Sequence, residues 1–279
     1  MSESTVLVTG ATGRTGRRVT HLLRARGVPV RAASRSAARP FDWHDRATWP
    51  ATLDGCGAGY LCYSPDLAFP GVDTVIAEFA AAAVDRGVRR LVLLSGRGEA
   101  AARRCEEVVM ACPVAATVVR CAWFQENFSE HFLRDGVLAG RIAMPAGAVT
   151  EPFVSLDDVA EIAVQALTTG GLDGRVLELT GPESIGFQRA AGILTAALGR
   201  EIAYQPVDVA TFVGEAVAAG LERADAERLG RLVGDVLDGR NEATTDTVEC
   251  VLGRPATTFE QYARRAAAAG AWAPTGVLR

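Results

Sequence analysis

The stretch TVLVTGATGRTG, residues 5–16, determines the fold of this 279-residue chain. It begins with short apolar and β-branched residues, as a buried strand does, and continues into a glycine-rich turn. Beyond the turn, Val19, Leu22 and Leu23 recur at helical spacing until Gly27 interrupts the pattern. The stretch therefore predicts a strand, a tight turn and a helix in direct succession.

Strand and helix patterns alternate along the first half of the chain. The predicted strands cover residues 5–9, 28–33, 40–43, 58–62, 90–95 and 114–120. With helical patterns between them, they predict a doubly wound parallel sheet covered on both faces, so the fold class is α/β of the Rossmann type. Beyond residue 126 the predicted segments are mostly helical. We predict a Rossmann domain over residues 1–126 and a smaller C-terminal substrate lobe over residues 127–279, some segments of which return to the Rossmann domain.

The composition excludes several function classes. The 29 basic residues are all arginine, so no mechanism can use a lysine Schiff base or a phosphate-loop lysine. Six cysteines without a CxxC pair and three histidines without ligand spacing indicate no metal site and no disulfide framework. A net charge of −4 without a basic stripe indicates no nucleic-acid partner.

Hydropathy indicates a protein outside the membrane. No run of about 18 uncharged apolar residues is present, and the N-terminus enters a strand pattern without the charged and apolar regions of a signal peptide. These features predict a cytoplasmic protein whose partner is a small-molecule substrate. The sequence leaves monomer and homodimer both open.

The glycine-rich turn predicts a dinucleotide site. Gly10, Gly13 and Gly16 lie directly between strand and helix, where missing side chains allow a tight turn, backbone contact with a pyrophosphate and close helix packing. Thr12 and Thr15 belong to the same turn and to the predicted cofactor-binding set. A glycine motif alone is weak evidence, but the strand before it, the helix after it and the further strand–helix units favour this interpretation.

The end of the second predicted strand favours NADPH over NADH. An acidic residue there would bind the ribose 2′-hydroxyl and repel a 2′-phosphate, whereas this chain has Ser34 and Arg35. Arg14 in the glycine turn adds a second guanidinium, which binds phosphate oxygens as a fork. The alternative is that both arginines are only solvated. Asp42 and Trp43 are candidates to border the adenine.

The chain lacks the tyrosine–lysine pair of ordinary short-chain dehydrogenases. In that pair a tyrosine, helped by a lysine four residues later, protonates a carbonyl oxygen during hydride transfer. The residues four positions after the tyrosines of this chain are Ser64, Leu67, Asp208 and Ala266. A conventional proton donor is therefore missing.

These motifs carry a resemblance to a known family. With its GxxGxxG turn, its basic residues for NADP and its missing pair, nearly the whole chain resembles the NmrA-like, atypical branch of the short-chain dehydrogenase superfamily. The stretches most similar to the ergot-alkaloid reductase family are ASRSAARPFDWHDRATW (33–49), TVVRCAWFQENFSEHF (117–132) and PFVSLDDVA (152–160). Members of that family, agroclavine and festuclavine dehydrogenases among them, reduce an iminium carbon with NADPH. The resemblance implies the same class of reaction in secondary metabolism.

The resemblance also implies which residues border the nicotinamide. Ser95 ends the predicted fifth strand at the place of the superfamily's catalytic serine, where it would orient the nicotinamide or a bound water. Cys121 follows the predicted sixth strand, at a position where family members usually have proline. Cys62 and Tyr63, at the end of the fourth predicted strand, complete the predicted cofactor-binding set.

Aromatic residues after the sixth predicted strand are, together with Ser95, the candidate catalytic residues. Trp123 and Phe124 lie where the carboxyl end of that strand would face the nicotinamide, so they would position the reacting groups without acting as acids. Trp123 also belongs, with Glu126, Asn127 and Phe153, to the predicted substrate-binding set. The alternative is that the aromatic residues only cover the sheet as part of the core.

An iminium acceptor explains the missing proton donor. It already carries a positive charge, so hydride arrival neutralises it, and the protein has only to hold the reacting carbon near the nicotinamide. We therefore predict an NADPH-dependent reductase of an iminium, imine or similarly activated double bond, without a metal. One alternative is a quinone or enone reductase, in which water or Ser95 supplies a proton. Another is a non-enzymatic, NADP-sensing regulator of the NmrA-like type.

Overall fold

A computed structural model of the protein describes residues 4–37 and 39–273. Contacts along the chain divide it into two compact units. The first, which we call the sheet unit, contains Met1–Cys121, Leu156–Leu179 and Thr247–Arg254. The second, which we call the aromatic unit, contains Ala122–Ser155, Thr180–Asp246 and Pro255–Arg279.

Strands and helices alternate in the sheet unit, whereas helices prevail in the aromatic unit. Within the described residues the strands are β1 (Thr5–Thr9), β2 (Val30–Ala33), β3 (Cys56–Leu61), β4 (Arg90–Gly96), β5 (Ala115–Cys121), β6 (Arg141–Met144), β7 (Thr150–Glu151), β8 (Arg175–Leu179), β9 (Ile185–Gly186) and β10 (Ala203–Pro206). The helices of the same residues are α1 (Arg14–Ala25), α2 (Trp49–Leu53), α3 (Val72–Asp85), α4 (Ala100–Met110), α5 (Asn127–Glu130), α6 (Arg134–Ala139), α7 (Leu156–Thr168), α8 (Phe187–Leu198), α9 (Val209–Ala218), α10 (Arg223–Val236), α11 (Thr247–Leu252) and α12 (Phe259–Ala268). Among these described helices, none is both long and apolar enough to cross a membrane.

The described part of the sheet unit forms a sheet of six parallel strands in the order β2-β1-β3-β4-β5-β8. Successive strand residues face opposite sides of a sheet. Leu7, Leu91 and Leu93 accordingly join the core cluster formed with α3 and α4, while Val6 and Val92 are buried outside that cluster. Helices α1 and α7 pack together and against the strands. The predicted α/β Rossmann-type fold is confirmed.

The strand order reverses at β1, because β2 pairs with one side of it and β3 with the other. In doubly wound sheets, ligands bind beyond the carboxyl ends of the strands at such a reversal. The glycine turn leaves β1 at its carboxyl end, so the topology places this turn at the reversal.

The predicted third strand, residues 40–43, is wrong. Within the described residues this segment joins no sheet. Phe41 and Trp43 pack instead against Phe79 of α3, with ring centroids 5.6 and 4.8 Å away. Aromatic side chains buried from a loop therefore produced the apolar pattern that resembled a strand. Ser95 consequently lies in the fourth strand of the chain, one residue before its end.

Phenylalanine rings form the centre of the aromatic unit. The ring centroid of Phe128 lies 5.0 Å from that of Phe259 and 5.4 Å from that of Phe153, both edge to face. Helix α8 packs on α12, and α9 packs on α10. Strand β6 pairs in parallel with β10, and β7 pairs antiparallel with β9. The core of this unit consists mainly of residues from helices and of aromatic side chains, and these short strand pairs contribute a few more residues to it.

Candidate functional site

The glycine turn begins where β1 ends. Gly10 has a φ of +62°, a left-handed conformation that glycine adopts without the penalty of a Cβ. The Gly13 amide donates to the Gly10 carbonyl oxygen over 2.8 Å, and Gly13 is the N-cap of α1. The turn therefore sets the first turn of the helix directly after the carboxyl end of β1.

The second and third glycines of the motif have different surroundings. A Cβ on Gly16 would lie 2.7 Å from the Gly10 carbonyl carbon and 2.9 Å from Ala11 Cα, so only glycine lets the helix approach the turn this closely. A Cβ on Gly13 would have one neighbour within 4 Å, the Gly10 carbonyl oxygen at 3.1 Å. Open space therefore lies in front of the first turn of α1.

The N-terminus of α1 fits an anionic ligand. Its first turn contains no acidic residue, and its N-cap Gly13 has no side chain to bond the first amides. Such amides and the helix dipole favour negative charge. Arg18 donates from Nε to Asp157 Oδ1 and from Nη1 to the carbonyl oxygen of Arg14, each over 2.9 Å. The open space and the first amides of α1 together fit the pyrophosphate of a dinucleotide.

Side-chain hydrogen bonds tie the glycine turn to the end of β3. Thr9 Oγ1 donates to the Tyr60 carbonyl oxygen over 3.1 Å and accepts the Cys62 amide over 2.8 Å. Thr15 Oγ1 donates to Cys62 Sγ over 3.6 Å, and burial raises the pKa of this thiol. Thr15 and Cys62, both predicted to bind the cofactor, thus also hold the turn in place.

The segment after β2 carries the residues predicted to bind the 2′-phosphate. The Ser34 carbonyl oxygen accepts the amides of Ala37 and Phe41, over 3.2 and 3.0 Å, which closes this segment into a turn. Arg35 is exposed and forms no ion pair with the described part of the chain. No acidic residue lies between Ala33 and Phe41, so this segment has no carboxylate to repel a phosphate.

The predicted adenine neighbours Asp42 and Trp43 also shape their own loop. Asp42 Oδ1 accepts the His44 amide over 2.9 Å, and the Asp42 carbonyl oxygen accepts Trp49 Nε1 over 3.0 Å. Trp43 is buried, and its ring centroid lies 5.2 Å from that of Tyr63. Contact with an adenine stays a prediction for both residues.

A buried ionic network lies at the ends of β4 and β5. Ser95 Oγ donates to Glu106 Oε1 over 2.6 Å, and Arg120 binds both oxygens of this carboxylate, from Nε over 3.0 Å and from Nη2. Arg120 also donates from Nη1 to Glu178 over 3.2 Å, and Glu178 pairs with Arg97 over 2.8 Å. The bonds to Glu106 raise the pKa of Arg120. The Ser95 proton is therefore engaged by an ionised carboxylate.

Glu99 lies against the end of β4, and the sequence analysis missed it. A Cβ on Gly96 would lie 2.6 Å from Glu99 Cδ, so the carboxyl group occupies the space that a side chain at Gly96 would fill. Burial, together with the charges of Asp66 and Glu106, raises the pKa of Glu99 to about 8. The one signal in the sequence is an acidic residue at the N-cap of a helix, which is also an ordinary helix feature.

Five aromatic rings of the aromatic unit form what we call the aromatic wall: Trp123, Phe132, Phe187, Tyr204 and Phe212. The Trp123 centroid lies 6.1 Å from that of Phe132 and 6.2 Å from that of Phe187. Phe132 contacts Phe212, and Phe187 stacks on Tyr204, with centroids 6.2 and 5.9 Å apart. Because Trp123, Phe132 and Tyr204 are only half-buried, the wall keeps ring surface for a planar or cationic group.

Three of the other residues predicted around the substrate, Glu126, Asn127 and Phe153, are buried. Phe153 is 2% exposed and belongs to the core of the aromatic unit. Glu126 is buried and accepts Ser155 Oγ over 3.4 Å, and Asn127 is the first residue of α5. Phe124 is half-buried. Their contacts with a substrate stay predictions.

Comparison with known proteins identifies relatives along the whole chain. The chain is 30% identical to an agroclavine dehydrogenase of Claviceps purpurea (strain 20.1), over 93% of its own length and 96% of the relative. It is 31% identical to a festuclavine dehydrogenase of Aspergillus fumigatus, over 94% of its length and 97% of the relative. The structure of Citrobacter sp. triphenylmethane reductase complexed with NADP(H) matches with a TM-score of 0.78 at 21% identity, over 94% of this chain and 99% of that one. No family model matches the chain.

The fold, the glycine turn and these relatives define an NAD(P)-binding oxidoreductase. Within that class, the chain belongs to the agroclavine and festuclavine dehydrogenase family. The resemblance predicted from the sequence is confirmed, and the alternative of a non-enzymatic regulator is set aside.

Proposed function

We propose that the protein is an NADPH-dependent reductase that transfers a hydride to an iminium, imine or similarly activated double bond of a small secondary metabolite. The observation that carries the proposal is the half-buried aromatic wall around Trp123, in a chain without lysine. A cation over the face of an aromatic ring gains about 0.5 to 2 kcal/mol. Because hydride arrival cancels the charge of an iminium, its reduction needs no tyrosine–lysine pair.

The sheet unit supplies the cofactor residues of this proposal. NADPH, when bound, provides the hydride. The open space at Gly13 and the first amides of α1 suit its pyrophosphate, and Arg14 with Arg35 would bind its 2′-phosphate. The absence of a carboxylate from the segment after β2 supports the preference for the phosphorylated cofactor.

The other residues would orient the acceptor and exclude water. Trp123 would hold the cationic group by its ring face, and Phe124 would limit the movement of the acceptor. Ser95 has its proton engaged by Glu106, so it would act as a fixed hydrogen-bond acceptor and not as an acid. The reaction would then depend on orientation more than on proton transfer.

A screen of NADPH consumption with identification of products tests the proposal. Cyclic iminium salts, quinones and enones are offered at equal concentrations. The expected result is turnover of an iminium salt to the reduced amine. Turnover of quinones or enones alone would contradict the iminium proposal. If none of the three acceptor classes causes NADPH consumption, the reductase function is contradicted.

Arg35→Ala is expected to weaken the preference for NADPH. The wild-type protein should bind NADPH at least about tenfold tighter than NADH, roughly 1.4 kcal/mol, because a guanidinium makes charge-assisted bonds to phosphate. In the variant this ratio should fall severalfold while the NADH affinity is kept, as measured by fluorescence titration with both cofactors. Arg26→Ala removes an exposed cation just past the opposite end of α1 and should leave the ratio unchanged. An undiminished ratio in Arg35→Ala would refute the assignment.

Trp123→Ala is expected to lower iminium turnover at least about tenfold, or 1.4 kcal/mol, because the variant loses the ring that stabilises and positions the cation. Trp123→Phe keeps a ring face and should lose less activity. Ser95→Ala should have the smallest effect, because the Ser95 proton is already engaged by Glu106. Steady-state rates on the best acceptor of the screen give the order of the three activity losses. Unfolding temperatures serve as a control for packing. An active Trp123→Ala beside an inactive Ser95→Ala would exclude the mechanism.

A further inference from the structure

Two carboxyl groups near the end of β4 have opposite surroundings. Glu106 is buried and bonded to Arg120 and Ser95, so it is held as a carboxylate. Glu99 is half-buried, and its carboxyl group forms no hydrogen bond or ion pair within the described residues. The charges that act on it, those of Asp66 and Glu106, are both negative. Pairs of acids whose surroundings separate their proton affinities are typical of acid–base sites.

The position of Glu99 in the sheet unit is suited to a reacting group. Its carboxyl group lies over Gly96, the last residue of β4, and ligands of doubly wound sheets bind beyond the carboxyl ends of the strands. Ser95 precedes Gly96, but its hydroxyl group donates to Glu106 and has no proton to spare. At the carboxyl end of β4, the transferable proton is therefore on Glu99 and not on Ser95.

We propose that Glu99 is the proton donor for a second activity of this reductase, the reduction of neutral acceptors such as quinones and enones. This inference rests on the proposed NADPH-dependent reductase function and goes beyond it, because an iminium needs no proton. Hydride addition to a quinone or enone forms one bond to hydrogen and moves the π electrons onto an oxygen, which becomes an anion. Glu99 protonates that oxygen, and its carboxylate then takes a proton from water. Each turnover consumes one NADPH and one proton and gives NADP⁺ and the dihydro product.

The charge state of Glu99 predicts the pH dependence of this activity. Burial, Asp66 in the loop after β3 and Glu106 on α4 raise the pKa of Glu99 to about 8. Arg120 of β5 is bonded to Glu106. Glu99 therefore carries its proton below about pH 8, and turnover of neutral acceptors should fall as the pH rises through this value.

Glu99→Gln tests the proposal, because glutamine keeps the size of the side chain and has no proton to give. The ratio of quinone turnover to iminium turnover should fall about 100-fold, the usual scale of a lost general acid, and the remaining quinone activity should lose its decline near pH 8. Glu107→Gln changes an exposed acid on the same helix and should leave both the ratio and the pH profile unchanged.

Infrared titration of the cofactor-free protein provides a measurement independent of turnover. The wild-type protein should show the carbonyl band of a protonated carboxyl group, which disappears with a midpoint near pH 8, and Glu99→Gln should lack this band. Asp66→Asn removes one of the two negative neighbours and should keep the band but lower its midpoint. These shifts report the proton on Glu99 whether or not an acceptor is known.

The outcomes distinguish this inference from the proposed function. A protein that reduces iminium salts but no quinone or enone overturns the role of Glu99 and leaves the proposed function intact. The role of Glu99 is also overturned, with the proposed function left intact, if the ratio of quinone turnover to iminium turnover is unchanged in Glu99→Gln. An infrared spectrum without a protonated-carboxyl band at neutral pH leads to the same conclusion. If no acceptor of any class causes NADPH consumption, both the role of Glu99 and the proposed function are overturned.

Discussion

Gly13→Val is expected to abolish NADPH binding, with a rise in Kd of at least about 100-fold, or 2.7 kcal/mol, while the chain still folds. Gly13 has a φ of −77°, which any residue adopts, and a Cβ there would meet only the Gly10 carbonyl oxygen at 3.1 Å. The valine side chain would instead fill the open space in which a pyrophosphate approaches the first amides of α1. Fluorescence titration with NADPH and thermal unfolding measure the two effects separately.

Two other glycine variants serve as controls for this result. Gly16→Ala should destabilise the fold itself, because its Cβ would lie 2.7 Å from the Gly10 carbonyl carbon and the turn would have to move. Gly192→Ala, in α8, has no atom within 4 Å of its Cβ and should keep both binding and stability. If Gly13→Val binds NADPH normally, the nucleotide site lies elsewhere. If it unfolds, the space at Gly13 is not free for a ligand.

The sheet was predictable because its signals are local. Strands buried on both faces are continuous apolar runs, so the pattern at residues 90–95 predicted β4, which spans Arg90–Gly96. The pattern at residues 5–9 likewise predicted β1, which spans Thr5–Thr9. Each of these elements is determined by its own stretch of sequence.

Elements that depend on distant partners were not predictable. β6, Arg141–Met144, pairs with β10, Ala203–Pro206, from a remote part of the chain. Four-residue patterns of this kind do not distinguish a strand from a loop. The error at residues 40–43 has the same origin, because the packing of Phe41 and Trp43 on Phe79 decides the conformation there.

The candidate site likewise has a part that the sequence predicts and a part that it does not. The glycine turn acts through backbone geometry, and its spacing is visible in the sequence. The network of Ser95, Glu106 and Arg120 joins residues 11 and 14 positions apart, and no motif marks it. Glu106 and Glu107 are neighbours of the same type, yet one is buried and ion-paired and the other is exposed. The fold decides which of the two acids joins the network, because it buries Glu106 against Arg120 and Ser95.

Arg120→Met is expected to lower the free energy of unfolding by about 3 to 5 kcal/mol, because it leaves a buried carboxylate without its partner. The Glu106 side chain is 4% exposed and that of Arg120 is 16% exposed, so water replaces little of the lost interaction. Urea unfolding gives the loss at neutral pH.

Two comparisons show whether the loss arises from desolvated charge. Arg46→Met breaks the pair with Glu78, whose side chains are 56% and 42% exposed, and should cost less than about 1 kcal/mol. Arg120→Met combined with Glu106→Gln removes both charges, keeps an acceptor for Ser95 and should recover much of the stability. If Arg120→Met costs no more than Arg46→Met, or if the double variant is no better than the single one, Glu106 is not a buried ionised carboxylate. The Ser95 proton would then be free, and Ser95 would replace Glu99 as the proton donor to test.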